Sequence, residues 1–147
     1  MSYFESVSVG DTARTAGRTV TAADVTNFAG VSGDFNHHHH TDAERMANTE
    51  YGGRIAHGAF VFSAMTGLLW QSRTPDERED VIAFYGVDGL RFTAPTYVGD
   101  TIHVETEVVE KEEREHPRAS GTVRYDAAVR NQDDATVLRC ELLSVVR

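Results

Sequence analysis

The sequence predicts an α+β fold, an antiparallel sheet wrapped around one buried helix, and three observations carry that prediction. Ala59 to Trp70 is apolar on nearly every side, with Phe60, Val61, Phe62, Ala64, Met65, Leu68, Leu69 and Trp70 leaving hardly any polar face, so a helix there must be surrounded by protein. From residue 81 the pattern turns to strands. Asp100 to Glu110 sets Ile102, Val104, Thr106 and Val108 on one face, and Ala119 to Arg130 repeats the alternation with Val123, Tyr125, Ala127 and Val129. Turn residues separate these runs, at Pro95, Gly99-Asp100, His116-Pro117 and Asn131 to Asp134.

The remaining elements follow from caps and punctuation. Val7, Val9, the Gly10-Asp11 turn and Thr12 to Val20 alternate enough for an opening strand. Thr21 is an N-cap with Asp24 in the capping-box position, starting a helix over about residues 22–29 that sets Val25, Phe28 and Ala29 on one face. Gly30 and Gly33 end it. Thr41 caps a short charged helix through about Ala47, with Met46 and Ala47 inward. Residues 48–54, with Gly52 and Gly53, read as a loop, and residues 71–80, with Pro75, as a charged surface loop. Val81 to Phe92 and Thr136 to Val146 are the outer strands of the series. The charge run Glu110 to His116 is a solvated hairpin tip, and His103 and His116 read as surface or hairpin residues.

At 147 residues the chain is expected to form one domain, 1–147, since it shows no repeat or linker. No stretch approaches the roughly 18 consecutive apolar residues of a membrane span, and the first residues lack the basic and apolar regions of a leader, so the expected location is the cytoplasm. Cys140 is the only cysteine, which rules out an internal disulfide and argues against a thiolate zinc site. A formal net charge of -9 argues against nucleic acid or an anionic membrane as partner. Lys111 is the only lysine. Such an acidic, lysine-poor composition is a habit of salt-adapted proteins.

Chemistry concentrates between Gly30 and His39, where a carboxylate, a carboxamide and several imidazoles stand together. An Asp and a His brought together hold one water and move its protons, which is what adding water to a polarised double bond requires. Gly53 to Gly58, followed by the apolar run, supplies a helix N-terminus able to hold an oxyanion. No functional metal is expected, because adjacent histidines point different ways and no carboxylate cluster completes a site. Asn36 is expected to fix the loop by hydrogen bonding to its backbone, and His57 to be structural at the helix start. Ser63 and Thr66 either face the pocket and steady Asp34 or bond back to their own helix. Phe60 is one of several aromatic side chains expected to line the substrate pocket. Arg54 and Arg91 are either contacts to an anionic group of the ligand or surface charge.

Phe28 to His39 resembles the signature of the MaoC-like dehydratases, the hydratase 2 or R-specific enoyl-CoA hydratase family, whose core reads Gly-Asp-x-Asn-Pro-x-His. The match places the catalytic aspartate at Asp34, the asparagine at Asn36 and the catalytic histidine at His39. His37 stands where the family has proline, which leaves His38 and His40 as alternatives if the register slips. Ile55-Ala56-His57-Gly58 is similar to the family's entry into its central helix, and Arg91 to Asp100 resembles a strand and turn common to hot-dog proteins. The resemblance implies a hot-dog fold and metal-free, reversible hydration of a trans-2-enoyl-CoA to the (R)-3-hydroxyacyl thioester. Asp34 and His39 would hold the water and the Gly58 N–H the thioester oxygen. It implies no cofactor beyond the CoA of the acyl thioester substrate. The sheet edges it leaves exposed suit a homodimer or a higher homo-oligomer. Two readings compete: a hot-dog acyl-CoA thioesterase, against which the apolar helix offers no Asp or Glu, and a non-catalytic acyl-CoA-binding subunit.

Overall fold

The computed structural model describes residues 1–147. Helix α4, Gly58–Ser72, is the axis of the molecule, and Phe60, Val61, Ala64, Met65 and Leu68 bury its inward face. Four long antiparallel strands curl around it: β3 (Val81–Phe92), β4 (Thr101–Glu113), β5 (Gly121–Arg130) and β6 (Thr136–Val146). The sheet runs β1-β4-β5-β6-β3, where β1 is Thr12–Arg14, and a two-residue strand β2, Arg18–Thr19, also pairs with β4. This is the hot-dog arrangement.

Alternation in β5 decides which sheet face meets the helix. Gly121, Val123, Tyr125, Ala127 and Val129 are all buried, and the residues between them are not, as a strand with one face in the core requires. Ile102, Val104 and Val108 of β4 and Leu138, Cys140 and Leu142 of β6 complete the core. Strand β3 is different, because it is an edge. Ile82, Phe84, Tyr85 and Phe92 are exposed along it.

The first twenty residues depart from the expected opening strand. Ser2 and Glu5 form a capping box that starts a short helix α1, Tyr3–Ser6, and only β1 and β2 are extended. Helix α2, Ala22–Ser32, starts on the expected Thr21–Asp24 box and passes through Gly30 to end at Gly33, whose φ of 79° is the left-handed stop. Asp42, rather than Thr41, caps helix α3, Ala43–Ala47, by accepting from the Arg45 N–H. Met46 is inward and Ala47 exposed. Residues 75–80, read as loop, form helix α5, Pro75–Asp80, on a Thr74–Glu77 capping box with proline in its first turn. Trp70, counted among the enclosed residues, is 48% exposed, and the Arg78 guanidinium lies 5.6 Å from its ring centroid. His103, expected at the surface, is buried with its Nε2 3.8 Å from Glu105. No helix is long and apolar enough to cross a membrane.

Candidate active site

Helix α2 delivers the carboxylate. After the left-handed turn at Gly33, the Asp34 N–H donates to Ser32 Oγ at 3.1 Å, and Asp34 Oδ1 accepts from the Asn36 N–H at 3.1 Å. With Oδ1 committed to the loop, Oδ2 faces two imidazoles. The Nε2 atoms of His40 and His57 each lie 3.9 Å from it.

Asn36 is the hub of the turn that brings one of those imidazoles in. Its carbonyl accepts from the N–H groups of His39, His40 and Thr41 at 3.3, 2.8 and 3.3 Å. Its side-chain oxygen accepts from the His38 N–H at 2.9 Å. The four histidines then part. His37 and His38 are exposed; Arg45, 2.9 Å from the His38 ring, holds that imidazole below its usual pKa. His39 is half-buried and turned away, with Nδ1 3.4 Å from Asn36 Nδ2 and its ring edge-on to Tyr51. His40 is buried and faces Asp34.

The imidazole opposite Asp34 is therefore His40, where the family spacing pointed to His39. A helical turn closes from the Asn36 carbonyl to the His40 N–H, and it brings His40, rather than His39, to the buried side facing Asp34.

The state of His40 is set by its second nitrogen. Nδ1 lies 2.7 Å from the Ile55 carbonyl, and a carbonyl only accepts, so Nδ1 carries the proton and Nε2 presents its lone pair toward Asp34. Burial pushes the His40 pKa down, against the raising effect of the Ile55 bond. His57 stacks on His40, ring centroids 3.6 Å apart and planes at 21°. Its Nε2 donates to the Asp34 carbonyl at 2.8 Å, while Nδ1 is buried with no partner. His57 thus clamps the loop bearing Asp34 and backs the His40 ring.

The third component begins one residue later. Gly58 opens α4, and its N–H has no acceptor within the protein, so the helix presents an orphan donor at its positive end. A Cβ at this position would lie 2.8 Å from the Phe92 ring, so any larger residue would have to displace that exposed ring.

Comparison with known proteins shows the family. Residues 4–131 match the model of the MaoC like domain. This chain belongs to the MaoC-like family. The MaoC protein of Klebsiella aerogenes is 42% identical over 102 residues, 69% of this chain and 29% of that one, so the chain spans under a third of that relative's length. The (R)-specific enoyl-CoA hydratase of Aeromonas caviae is 36% identical over 120 residues, 82% of this chain and 84% of that protein. Among solved structures, a protein from Archaeoglobus described as a monoamine oxidase regulatory protein superposes with a TM-score of 0.88 at 37% identity, covering 99% of this chain and 94% of that one.

Other expected residues of this MaoC-like chain lie outside the Asp34–His40 pairing. Ser63 Oγ donates to the Ala59 carbonyl at 2.8 Å and Thr66 Oγ1 to the Ser63 carbonyl at 2.7 Å, so both hydroxyls serve their own helix. Phe60 is buried, edge-on to Phe28 and 5.4 Å below the Arg18 guanidinium. Arg54 donates through Nε to the His40 carbonyl at 2.5 Å and so braces the loop. Arg91 donates to the Leu90 carbonyl and is exposed. One donor atom each from Asp34, His40 and His57 lies within 4.8 Å of the others. His57 Nε2, however, carries the proton it gives to the Asp34 carbonyl. Asp34 and His40 alone then offer lone pairs, a poor donor set for a transition metal.

Proposed function

We propose that this chain reversibly hydrates a trans-2-enoyl-CoA to the (R)-3-hydroxyacyl thioester, with Asp34 and His40 as the acting pair. The observation that carries the reading is the 3.9 Å separation of Asp34 Oδ2 and His40 Nε2, each free of any closer partner. That gap is too long for a direct hydrogen bond and short enough for both groups to share one water. His40 Nε2 accepts a proton from the water as its oxygen bonds to C3, and the pair returns a proton to C2. The Gly58 N–H donates to the thioester oxygen, where charge develops. Asn36 and His57 position the loop and ring rather than react, no cofactor is needed beyond the CoA of the substrate, and the similarity to the (R)-specific enoyl-CoA hydratase of Aeromonas caviae supports this chemistry. Pairing of two copies through the exposed edge strand β3 gives a homodimer in this reading.

The test follows enoyl-thioester absorbance and free thiol together, with crotonyl-CoA and octenoyl-CoA as substrates. Hydration consumes the absorbance without releasing thiol. Thiol release would make the chain a thioesterase, and binding without turnover would make it a non-catalytic subunit.

The lowered His40 pKa fixes a sign as well. The acting form is the neutral imidazole, so the acid limb of kcat/KM is expected below 6.5, the usual histidine value. For stability, the folded pKa lies under the unfolded one. The contribution is fully present above 6.5 and is lost as pH falls through the folded value. An acid limb above 6.5 that disappears in His39→Ala would place the acting imidazole elsewhere.

A further inference from the structure

A cavity of about 510 Å³ lies along the C-terminal half of α4. Its walls include Thr66 and Leu69 and, just past the end of the helix, Arg73 with Tyr3 and Tyr125 beside it. Six arginines, Arg14, Arg18, Arg114, Arg124, Arg130 and Arg147, pair with a carboxylate. Arg73 is half-buried in the cavity wall and does not. The Arg73 guanidinium instead sits 5.0 Å from the Tyr3 ring centroid and 6.0 Å from that of Tyr125, with one long bond of 3.4 Å to the Tyr125 hydroxyl. Glu77 also borders the cavity, but its carboxylate accepts from the Thr74 N–H at 2.7 Å as part of a helix cap.

Most of the five guanidinium donors therefore have no partner, and a guanidinium fork matches a carboxylate edge. The Tyr3 and Tyr125 hydroxyls are 2.8 Å apart. Either order of donation uses one hydroxyl proton between them and leaves the other available. A hydrocarbon end placed here would cover a cation without answering its charge, which costs free energy. A helix rise of about 1.5 Å per residue puts Arg73 about 22 Å from Gly58, a distance for a long acyl chain.

We infer that this cavity takes the distal end of a long acyl thioester that bears a terminal carboxylate, held by the Arg73 guanidinium beside the Tyr3–Tyr125 hydroxyl pair. The inference rests on the acyl-thioester reading above and narrows its substrate class to ω-carboxyacyl chains.

Calorimetric Kd values for dodecanoyl-CoA, hexadecanoyl-CoA and their ω-carboxy counterparts test it. These saturated esters cannot be hydrated, so binding is read apart from turnover. At one of the two lengths the ω-carboxy ester is expected to bind about ten- to a hundredfold tighter, the range of a charge-assisted hydrogen bond. Arg73→Gln should remove that preference while leaving the plain ester within about threefold, and Arg73→Lys should restore part of it. Should Arg73→Gln fail to fold, Tyr125→Phe, which strips the hydroxyl alone, is expected to reduce the preference. Equal or weaker binding of the ω-carboxy esters by the unaltered protein overturns the inference, and so does a preference that survives Arg73→Gln. Hydration of crotonyl-CoA would meanwhile leave the hydratase reading intact. Failure of every CoA ester to bind would overturn both.

Discussion

Replacing His40 with alanine is expected to lower kcat/KM on crotonyl-CoA by about 10²- to 10⁴-fold, the scale of a lost general acid or base, while His39→Ala stays within about tenfold. The contrast is sharp because the two residues are neighbours with the same side chain. Only His40 is buried, faces Asp34 Oδ2 and has its tautomer set by the Ile55 carbonyl. His39 contributes a half-buried ring beside Tyr51 and a long contact to Asn36. His40→Ala also removes the bond to Ile55 and the stack on His57, so thermal melts belong beside the kinetics. A folded His40→Ala protein with normal rates, next to an inactive His39→Ala protein, would return the assignment to the family spacing.

Met65→Ala is expected to cost about 2–5 kcal/mol of stability, as for other long core side chains cut back to alanine. Met65 is 0% exposed in the middle of α4, in a core closed by β4, β5 and β6, where collapse around a cavity is hard. Ser63→Ala on the same helix should change stability by under about 0.5 kcal/mol, because that hydroxyl is exposed and bonds only to its own backbone. Urea denaturation checks both. The midpoint for Met65→Ala should fall with its slope unchanged. Equal midpoints for the two variants would mean that α4 is not the buried axis of the fold.

The architecture was legible because burial enforces periodicity. The apolar run of α4 and the alternation of β4 and β5 each have one arrangement that keeps their apolar faces dry, and the sheet around the helix follows from both. Short capped helices were harder to read. Ser2–Glu5 and Thr74–Glu77 are capping boxes visible in the sequence, but both open helices too short to show an apolar period. Gly30 looked like a helix end, yet the φ that stops the chain is at Gly33; a glycine weakens a helix interior without ending it.

In the candidate site, the residues tied to backbone geometry were readable. Asp34 follows a glycine stop, Asn36 organises a turn, and Gly58 opens the central helix. The register of the histidine was not, because four identical side chains offer no contrast. His103 and Arg73 escaped for another reason. Burial of a polar residue by packing between distant segments leaves no local pattern, and Arg73 sits in a charged stretch that reads as surface.

The account turns on Asp34 and His40 acting on one shared water. The most direct measurement is kcat/KM on crotonyl-CoA for Asp34→Asn, His40→Ala and the double variant. Groups that act as a unit are strongly non-additive, so the double variant is expected to be no slower than the worse single one, within about threefold. Single losses that multiply in the double variant would mean independent roles, and would contradict the shared-water mechanism.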